Sequence, residues 1–229
     1  ISQRKAVTIP VADADSFFLK LAELVKTLAE TRKQSPLTID ILVGSIKRYV
    51  ARPEFRIRLD EVITQEVNKL FDRLDAKELS PQGVWSVEEF RRRLKLYEAT
   101  TEPLAKAFGV LGRWGDDAEL ALIADTIRGV VARANKVGSG LNIWLDLRTY
   151  PAVLLMTAYG LGLARAERWK TLHDLFSLSM PRDERDPKRL VNSLFLWDWR
   201  GSDDNLWNNV EGFTTGNNRR KTPLSDHLF

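Results

Sequence analysis

Basic side chains gather at three places along the chain, where their type and spacing could do chemistry. Short runs of lysine and arginine can neutralise the phosphates of a nucleic acid. Glu88 and Glu89 lie within helical reach of the second run, which favours a solvated, partly paired helix face there. The runs are Arg48, Arg52, Arg56 and Arg58 beside Lys47; Arg91, Arg92 and Arg93 beside Lys95; and Arg219, Arg220 and Lys221.

Tryptophans near the C-terminus form a second candidate surface. Trp197, Trp199 and Trp207 lie close to Arg200 in a stretch without sustained periodicity. Indole rings there could stack on bases or be buried by a partner protein. Tryptophans in a long loop more often hold that loop on its own core. These three residues and the basic runs are therefore candidates for contact with nucleic acid or with a partner.

Paired carboxylates are the best catalytic candidates in the sequence. Asp116-Asp117 and Asp203-Asp204 could serve acid–base or metal chemistry only if other ligands converged on them. Acidic doublets near glycine are typical of helix caps and turns, which is the role that we predict. Gly160 and Gly162 lack the third glycine of a dinucleotide loop, so with Ala158 and Ala164 they predict close helix packing. We expect no catalytic residue, cofactor or metal site in this chain.

The composition restricts the chemistry further. The 229 residues include no cysteine and only two histidines, His173 and His227, which excludes disulfides, thiolate nucleophiles and iron–sulfur clusters. Thirty-five basic and 31 acidic residues give a formal net charge of +4, far from the charge density of a dedicated nucleic-acid binder. Hydrophobic residues make up 44% and charged residues 29%, as in a soluble globular protein.

Helical periodicity dominates the sequence and predicts an all-α fold. We expect a multi-helix bundle or helical-repeat-like array of about seven to nine helices, followed by a loop-rich C-terminal segment. The predicted helices include one at residues 15–31, one that begins after Thr38, one that ends near Leu74, an apolar helix over 152–164 and a short one at 189–196.

The helix that follows Ser86 has the clearest signals. Ser86 and Glu89 have the spacing of a capping box, in which each side chain bonds the main-chain amide of the other. Apolar residues then recur at intervals of three and four as far as Leu111, which indicates lengthwise packing on a neighbour. Pro103 interrupts this pattern, and the sequence predicts either a kink or two helices that meet near Thr101.

The predicted domain organisation is a helical domain at residues 1–186 and a loop-rich extension at 187–229 that packs on it. A single domain overall is the alternative. The first residue is Ile1, and we expect the chain to be cut from a longer protein at both ends. The longest apolar stretch, 152–164, is too short for a membrane span of about 20 residues. We therefore expect a cytoplasmic protein without a membrane role.

Five sets of residues carry a family likeness: 147–155; Ala158-Tyr159-Gly160 with Ala164, Arg168, Leu172 and Leu175; Lys47-Arg48-Tyr49; Arg56-Ile57-Arg58-Leu59; and 222–228. These segments resemble helical regions of multidomain bacterial proteins used in phage defence, of the kind found beside sirtuin-like domains. The resemblance implies that an effector domain, such as a sirtuin-like NAD hydrolase, precedes Ile1. It implies that this chain regulates, oligomerises or senses, and it transfers no catalytic residue.

These observations predict a noncatalytic helical scaffold, interaction or sensing domain. Its expected partners are other domains of the same protein, and self-association is left open. The alternative is a regulatory domain that binds nucleic acid through the three basic runs, although nucleic acid is not the favoured partner. An enzyme that uses the paired carboxylates is a third and weaker hypothesis.

Overall fold

The computed structural model describes residues 39–136, 139–179, 194, 214–215 and 218–219. The predicted helices at 15–31 and 189–196 lie outside these residues, apart from Leu194. Asp203-Asp204 and the predicted domain boundary between residues 186 and 187 also lie outside the described residues. The domain boundary therefore stays a prediction.

The described residues are mainly helical, and the all-α class is confirmed. Six helices have nine residues or more, fewer than predicted because two of the predicted helices lie outside the described residues. No helix in the described part is long and apolar enough to cross a bilayer. The helices are α1 (Ile39–Val50), α2 (Arg56–Leu74), α3 (Val87–Trp114), α4 (Glu119–Lys136), the short α5 (Asn142–Leu147), α6 (Tyr150–Arg165) and α7 (Trp169–Ser177).

Short elements join or follow these helices. One 3₁₀ turn, Pro53–Phe55, leads directly into α2, and a second, Lys77–Leu79, follows it. Two-residue strands, β1 (Thr214–Thr215) and β2 (Asn218–Arg219), form an antiparallel pair in which Thr214 is opposite Arg219.

Helix α3 begins as the sequence predicts, but only half of the capping box has the expected partners. The Ser86 hydroxyl oxygen accepts a hydrogen bond from the Glu89 amide at 3.1 Å. The Glu89 carboxylate instead accepts hydrogen bonds from the Arg92 and Arg93 guanidiniums, at 2.7 Å each. Two guanidiniums in reach attract the carboxylate more strongly than one neutral amide does.

Pro103 lies inside α3, which continues from Val87 to Trp114. The predicted alternative of two helices that meet near Thr101 is therefore wrong. An interior proline costs a helix about 3 kcal/mol. Thr101, Leu104 and Phe108, which flank it, are fully buried, and so is Tyr97 one turn earlier. Burial on both sides of Pro103 offsets its cost and keeps the helix in one piece.

Helix α6 lies at the centre of the fold. Twelve of its 16 residues are buried, and it packs against α3, α4 and α7. A helix that is apolar all round must lie in a core, so the prediction of a buried helix over 152–164 is confirmed. Pro151 stands in its first turn, where the missing amide costs little. Leu194 also contributes a buried side chain to this core.

The crossing of α3 and α6 depends on two glycines. A Cβ atom on Gly112 would collide with the Tyr159 carbonyl oxygen, and one on Gly162 with the Gly109 carbonyl oxygen. The backbones of α3 and α6 are therefore in contact, which confirms the close helix packing predicted from the small residues of α6. Of those small residues, Gly162 makes the contact. Gly160 instead faces the side chains of Leu172 and Leu175 on α7. Glu98, in the middle of α3, meets Tyr150 at the start of α6, and Gly112 meets Gly162 near the ends of both helices, so α3 and α6 run in the same direction.

Candidate functional site

The first predicted basic run contains three exposed arginines and one arginine that forms ion pairs within the protein. Arg48, Arg52 and Arg58 are exposed. Arg56 instead donates to the Glu119 carboxylate at 2.6 Å and lies 3.5 Å from an Asp116 carboxylate oxygen. These ion pairs join α2 to the start of α4, while the Arg56 side chain is 37% exposed, so its role as a partner-contact candidate stays a prediction.

The second basic run is tied to acidic and main-chain oxygens. Arg93 is only 6% exposed and lies 4.3 Å from the centre of the Trp144 ring. It donates to the Ser80 and Gln82 carbonyl oxygens as well as to Glu89. Arg93 is therefore a structural residue, which corrects its assignment as a candidate for contact with nucleic acid or a partner.

Arg92 confirms the predicted partly paired helix face. It is exposed and binds both oxygens of Glu89. The Arg92 guanidinium, with help from Arg93, lowers the pKa of the Glu89 carboxyl to about 2. Arg91 is half-buried on the same helix.

The remaining candidates fall at the C-terminus. Arg219 lies on strand β2, and its side chain is not described. Arg220 and Lys221, with Trp197, Trp199 and Trp207, lie outside the described residues, so their roles stay predictions.

The Asp116-Asp117 doublet lies in the turn between α3 and α4. Asp116 accepts a hydrogen bond from the Ala118 amide at 2.7 Å, which is typical of an aspartate turn. Asp117 accepts from the Arg168 guanidinium at 2.7 Å and from the Thr171 hydroxyl at 2.5 Å. The doublet therefore forms a turn and a tertiary contact, in agreement with the structural role that was predicted.

Arg168 closes the C-terminal end of α3. Its guanidinium donates to the Gly112 and Gly115 carbonyl oxygens at 3.1 and 2.8 Å, besides binding Asp117. The last carbonyls of a helix have no partner within the helix, so a cation there satisfies them and offsets the helix dipole.

Glu119 and Asp116 have pKa values shifted in opposite directions. Burial raises the pKa of the Glu119 carboxyl, which is 2% exposed, and nearby Asp116 adds to the shift. The Ala118 amide lowers the pKa of Asp116. Such divergence can mark an acid–base pair. Here, however, one Glu119 oxygen accepts from Arg56 and the other from the Asp116 amide, so the carboxylate joins helices.

A basic groove lies where α1, α3 and α6 end side by side. Four cationic residues from the three helices line it, and none of its described lining residues is acidic. Its volume is about 250 Å³. We define the basic groove by these residues: Val43, Lys47, Ala105, Lys106, Gly109, Val110, Arg113, Trp114, Ala158, Leu161, Gly162 and Arg165.

Trp114 stands at the rim of the basic groove. Its side chain is half exposed, with the Lys47 Nζ atom 5.0 Å and the Arg113 Cζ atom 4.7 Å from the ring centre. Cations over an indole face are attracted by its π electrons. Lys106 lies deeper along α3 and pairs with Glu102, one turn earlier, at 2.8 Å.

A second cavity adjoins the basic groove and differs from it in charge. Its volume is about 330 Å³, and it shares Ala105 and Lys106 with the basic groove. Glu98 and Glu102 line it. Burial and the Glu98 carboxylate raise the pKa of the Tyr150 hydroxyl beside it. The two cavities therefore offer a basic and a mixed-charge surface on successive turns of α3.

Sequence reasoning missed most of the basic groove. Lys47 was found as a neighbour of the first basic run, but Lys106, Arg113, Arg165 and Trp114 were not. Lys106 and Arg113 are seven residues apart on α3 and Arg165 lies on α6, so the basic residues form no run. One signal was available: Lys47, Arg113 and Arg165 each stand in the last turn of a helix, where the helix dipole favours cations.

Comparisons of this chain with known proteins gave no match. The sequence matches no protein-family model, and neither curated proteins nor solved structures gave a significant match. The described residues also contain no group of three or more side chains placed to hold a metal ion.

Proposed function

We propose that this chain is a noncatalytic helical recognition domain of a larger multidomain protein, and that it acts as a scaffold and sensor. Its basic groove receives an anionic group from the partner that it recognises. The observation that carries this proposal is the convergence of four cationic residues from three helices in one concave surface. The resemblance to helical regions of bacterial defence proteins agrees with such a role.

The charge of the basic groove supports recognition of anions. None of its described lining residues is acidic, so the cationic side chains add their fields in a concave site, although the pair with Glu102 offsets part of the Lys106 charge. Clefts lined by one sign of charge concentrate ligands of the opposite sign and speed their association. The attraction should weaken as salt is added, because exposed charges are screened over about 10 Å at 0.1 M salt.

The floor of the basic groove supports a sensing role. Gly109 and Gly162 line it, and the same two residues are in contact at the α3–α6 crossing. A ligand that fills the groove therefore touches a close backbone contact between α3 and α6. Such a ligand can favour one packing of these helices over another, which is how a binding site communicates with the rest of a protein.

Calorimetric titration with inorganic pyrophosphate tests the proposal. We expect binding that weakens at least several-fold when salt is raised from about 50 to 200 mM. The double variant Lys106→Gln/Arg113→Gln should lose most of that affinity. Lys77→Gln is the matched control, because Lys77 is exposed and lies outside the basic groove. Equal binding by the double variant and the control would refute an anion site in the basic groove.

A second candidate function, nucleic-acid binding, rests on one observation. Arg48, Arg52 and Arg58 are exposed on α1, α2 and the segment between them, and Lys47 joins this surface to the basic groove. Fluorescence anisotropy with single-stranded and double-stranded oligonucleotides tests it, with Arg48→Gln/Arg52→Gln/Arg58→Gln compared with Lys77→Gln. Failure of every oligonucleotide to bind at low salt would exclude this function.

A further inference from the structure

The basic groove combines two chemistries that simple anion binding does not require. Trp114 presents a half-exposed indole at the rim, within about 5 Å of two of the cations. Aromatic faces stack on planar rings, and bases of any sequence are such rings. Cations bind phosphate oxygens. A ligand that used both features would carry a planar ring and phosphate.

The remaining lining residues limit the size of the ligand. Most of the floor is small and apolar, with Ala105, Gly109, Ala158 and Gly162 among its residues. Small-molecule pockets usually measure roughly 300–1,000 Å³, and the basic groove at 250 Å³ lies just below that range. A bound phosphate alone would leave the apolar floor and Trp114 uncovered.

The neighbouring cavity limits where phosphate can lie. Glu98 and Glu102 line that cavity and repel phosphate, whereas Lys106, at its boundary, belongs to both cavities. A polyphosphate chain would therefore stay on the side of Lys47, Lys106 and Arg113, which is also the side of Trp114. The planar ring and the phosphates of such a ligand would therefore both lie in the basic groove.

From these observations we propose that the basic groove binds a free nucleotide, with its base on Trp114 and its phosphates among the cationic side chains. The proposal rests on the anion-recognition function given above and names the ligand class of that site. Trp114 and the cations contact the ligand and carry out no reaction on it.

Titration calorimetry with three probes separates the two chemistries. ADP carries ring and phosphates, pyrophosphate carries the charge alone, and adenosine carries the ring alone. We expect ADP to bind roughly tenfold more tightly than pyrophosphate, since each stacked base adds about that factor. Adenosine should bind more weakly than either.

Variants of Trp114 test the stacking step. Trp114→Ala should weaken ADP binding roughly tenfold and leave pyrophosphate binding unchanged, whereas Trp114→Phe should retain most of the ADP affinity. Trp114→Leu preserves apolar bulk without an aromatic face, and it serves if the alanine variant fails to fold. Trp169→Ala is the matched control, because Trp169 is 59% exposed on α7 and does not line the basic groove.

The outcomes distinguish this inference from the function on which it rests. If ADP and pyrophosphate bind equally, or if Trp114→Leu binds ADP like the wild type, the nucleotide inference is wrong and anion recognition stands. If neither ADP nor pyrophosphate binds, the nucleotide inference and the anion-recognition function are both wrong. Tighter binding of a single-stranded oligonucleotide, with the same dependence on Trp114, would replace the free nucleotide with nucleic acid.

Discussion

The two ends of α3 both carry cations, but the structure uses them in opposite ways. Near the N-terminal end, Arg92 and Arg93 are bound by Glu89, and Arg93 is buried beneath a loop whose carbonyls it satisfies. Near the C-terminal end, Arg113 lines a groove without an acidic lining residue among those described, and Lys106 lines it too while pairing with Glu102 outside it. Whether a basic residue stabilises the fold or is placed to bind a ligand therefore depends more on the acidic residues near it than on the number of basic residues in its run.

The position along the helix explains part of this difference. Acidic residues such as Glu88 and Glu89 are favoured in the first turn, where the helix dipole is positive, and they capture the arginines that follow. In the last turn the helix dipole is negative, so basic residues are favoured there and acidic residues are disfavoured. Three helices end beside one another at the basic groove, so their last-turn cations converge.

The largest effect that we expect concerns the packed side of the C-terminal end of α3. Gly162→Val should destabilise the protein by about 3–4 kcal/mol, because the new side chain meets the α3 backbone. Urea unfolding measures this. Gly44→Ala is the control, since a Cβ there has open space and should add up to about 1 kcal/mol of stability. Equal tolerance at both sites would contradict the backbone contact.

At the N-terminal end of α3, Arg93→Met should cost about 3 kcal/mol. The change removes the donor to two loop carbonyl oxygens and leaves Glu89 with Arg92 alone. The exposed neighbour provides a matched control, and Arg92→Met should cost less than about 1 kcal/mol by the same unfolding measurement. Similar losses from the two variants would mean that Arg93 does not secure the loop.

Acid should weaken the N-terminal end of α3 through Glu89. Its folded pKa of about 2 lies below the ordinary value of 4.5, so the stability that its ion pairs contribute is fully present above about pH 4.5 and is lost progressively as the pH falls toward 2. Glu89→Gln should therefore flatten the decline in stability across that window, as measured by urea unfolding at several pH values. A decline as steep as that of the wild type would assign acid sensitivity to other carboxyls.

The smallest effect is expected in the basic groove. Arg113→Gln should change stability by no more than about 0.5 kcal/mol, because Arg113 is exposed and contacts only the half-exposed Trp114 ring among the interactions described. Thermal unfolding checks this. A loss above 1 kcal/mol would make Arg113 a structural residue like Arg93 and remove the contrast between the two ends of α3.

Local signals in the sequence predicted much of the fold. Ser86 predicted the start of α3, Pro53 the end of α1, and the apolar residues of 152–164 the buried helix, because each depends on neighbours within one or two turns. The continuity of α3 through Pro103 was not predictable in this way. It depends on burial by other helices, which outweighs the local cost of proline.

The candidate site was harder to predict. Arg56 and Arg93 looked like surface cations because sequence spacing does not show that Glu119, 63 residues away, or the loop at Ser80 would meet them. Lys106, Arg113 and Arg165 were overlooked for the converse reason, since they form no run and only the packing of α6 against α3 brings Arg165 to the other two. Long-range pairing of charges is a property of the topology.

The central position of α6 has a consequence for hydrogen exchange. Its amides are bonded within the helix and enclosed by α3, α4 and α7, so most can exchange with solvent only when the whole domain unfolds. Their slow exchange would report global stability, while fraying at the ends of α1 and α7 would not. Because Ala158, Leu161 and Gly162 also line the basic groove, a bound ligand should register as added protection in α6, which we expect to exchange most slowly among the described helices.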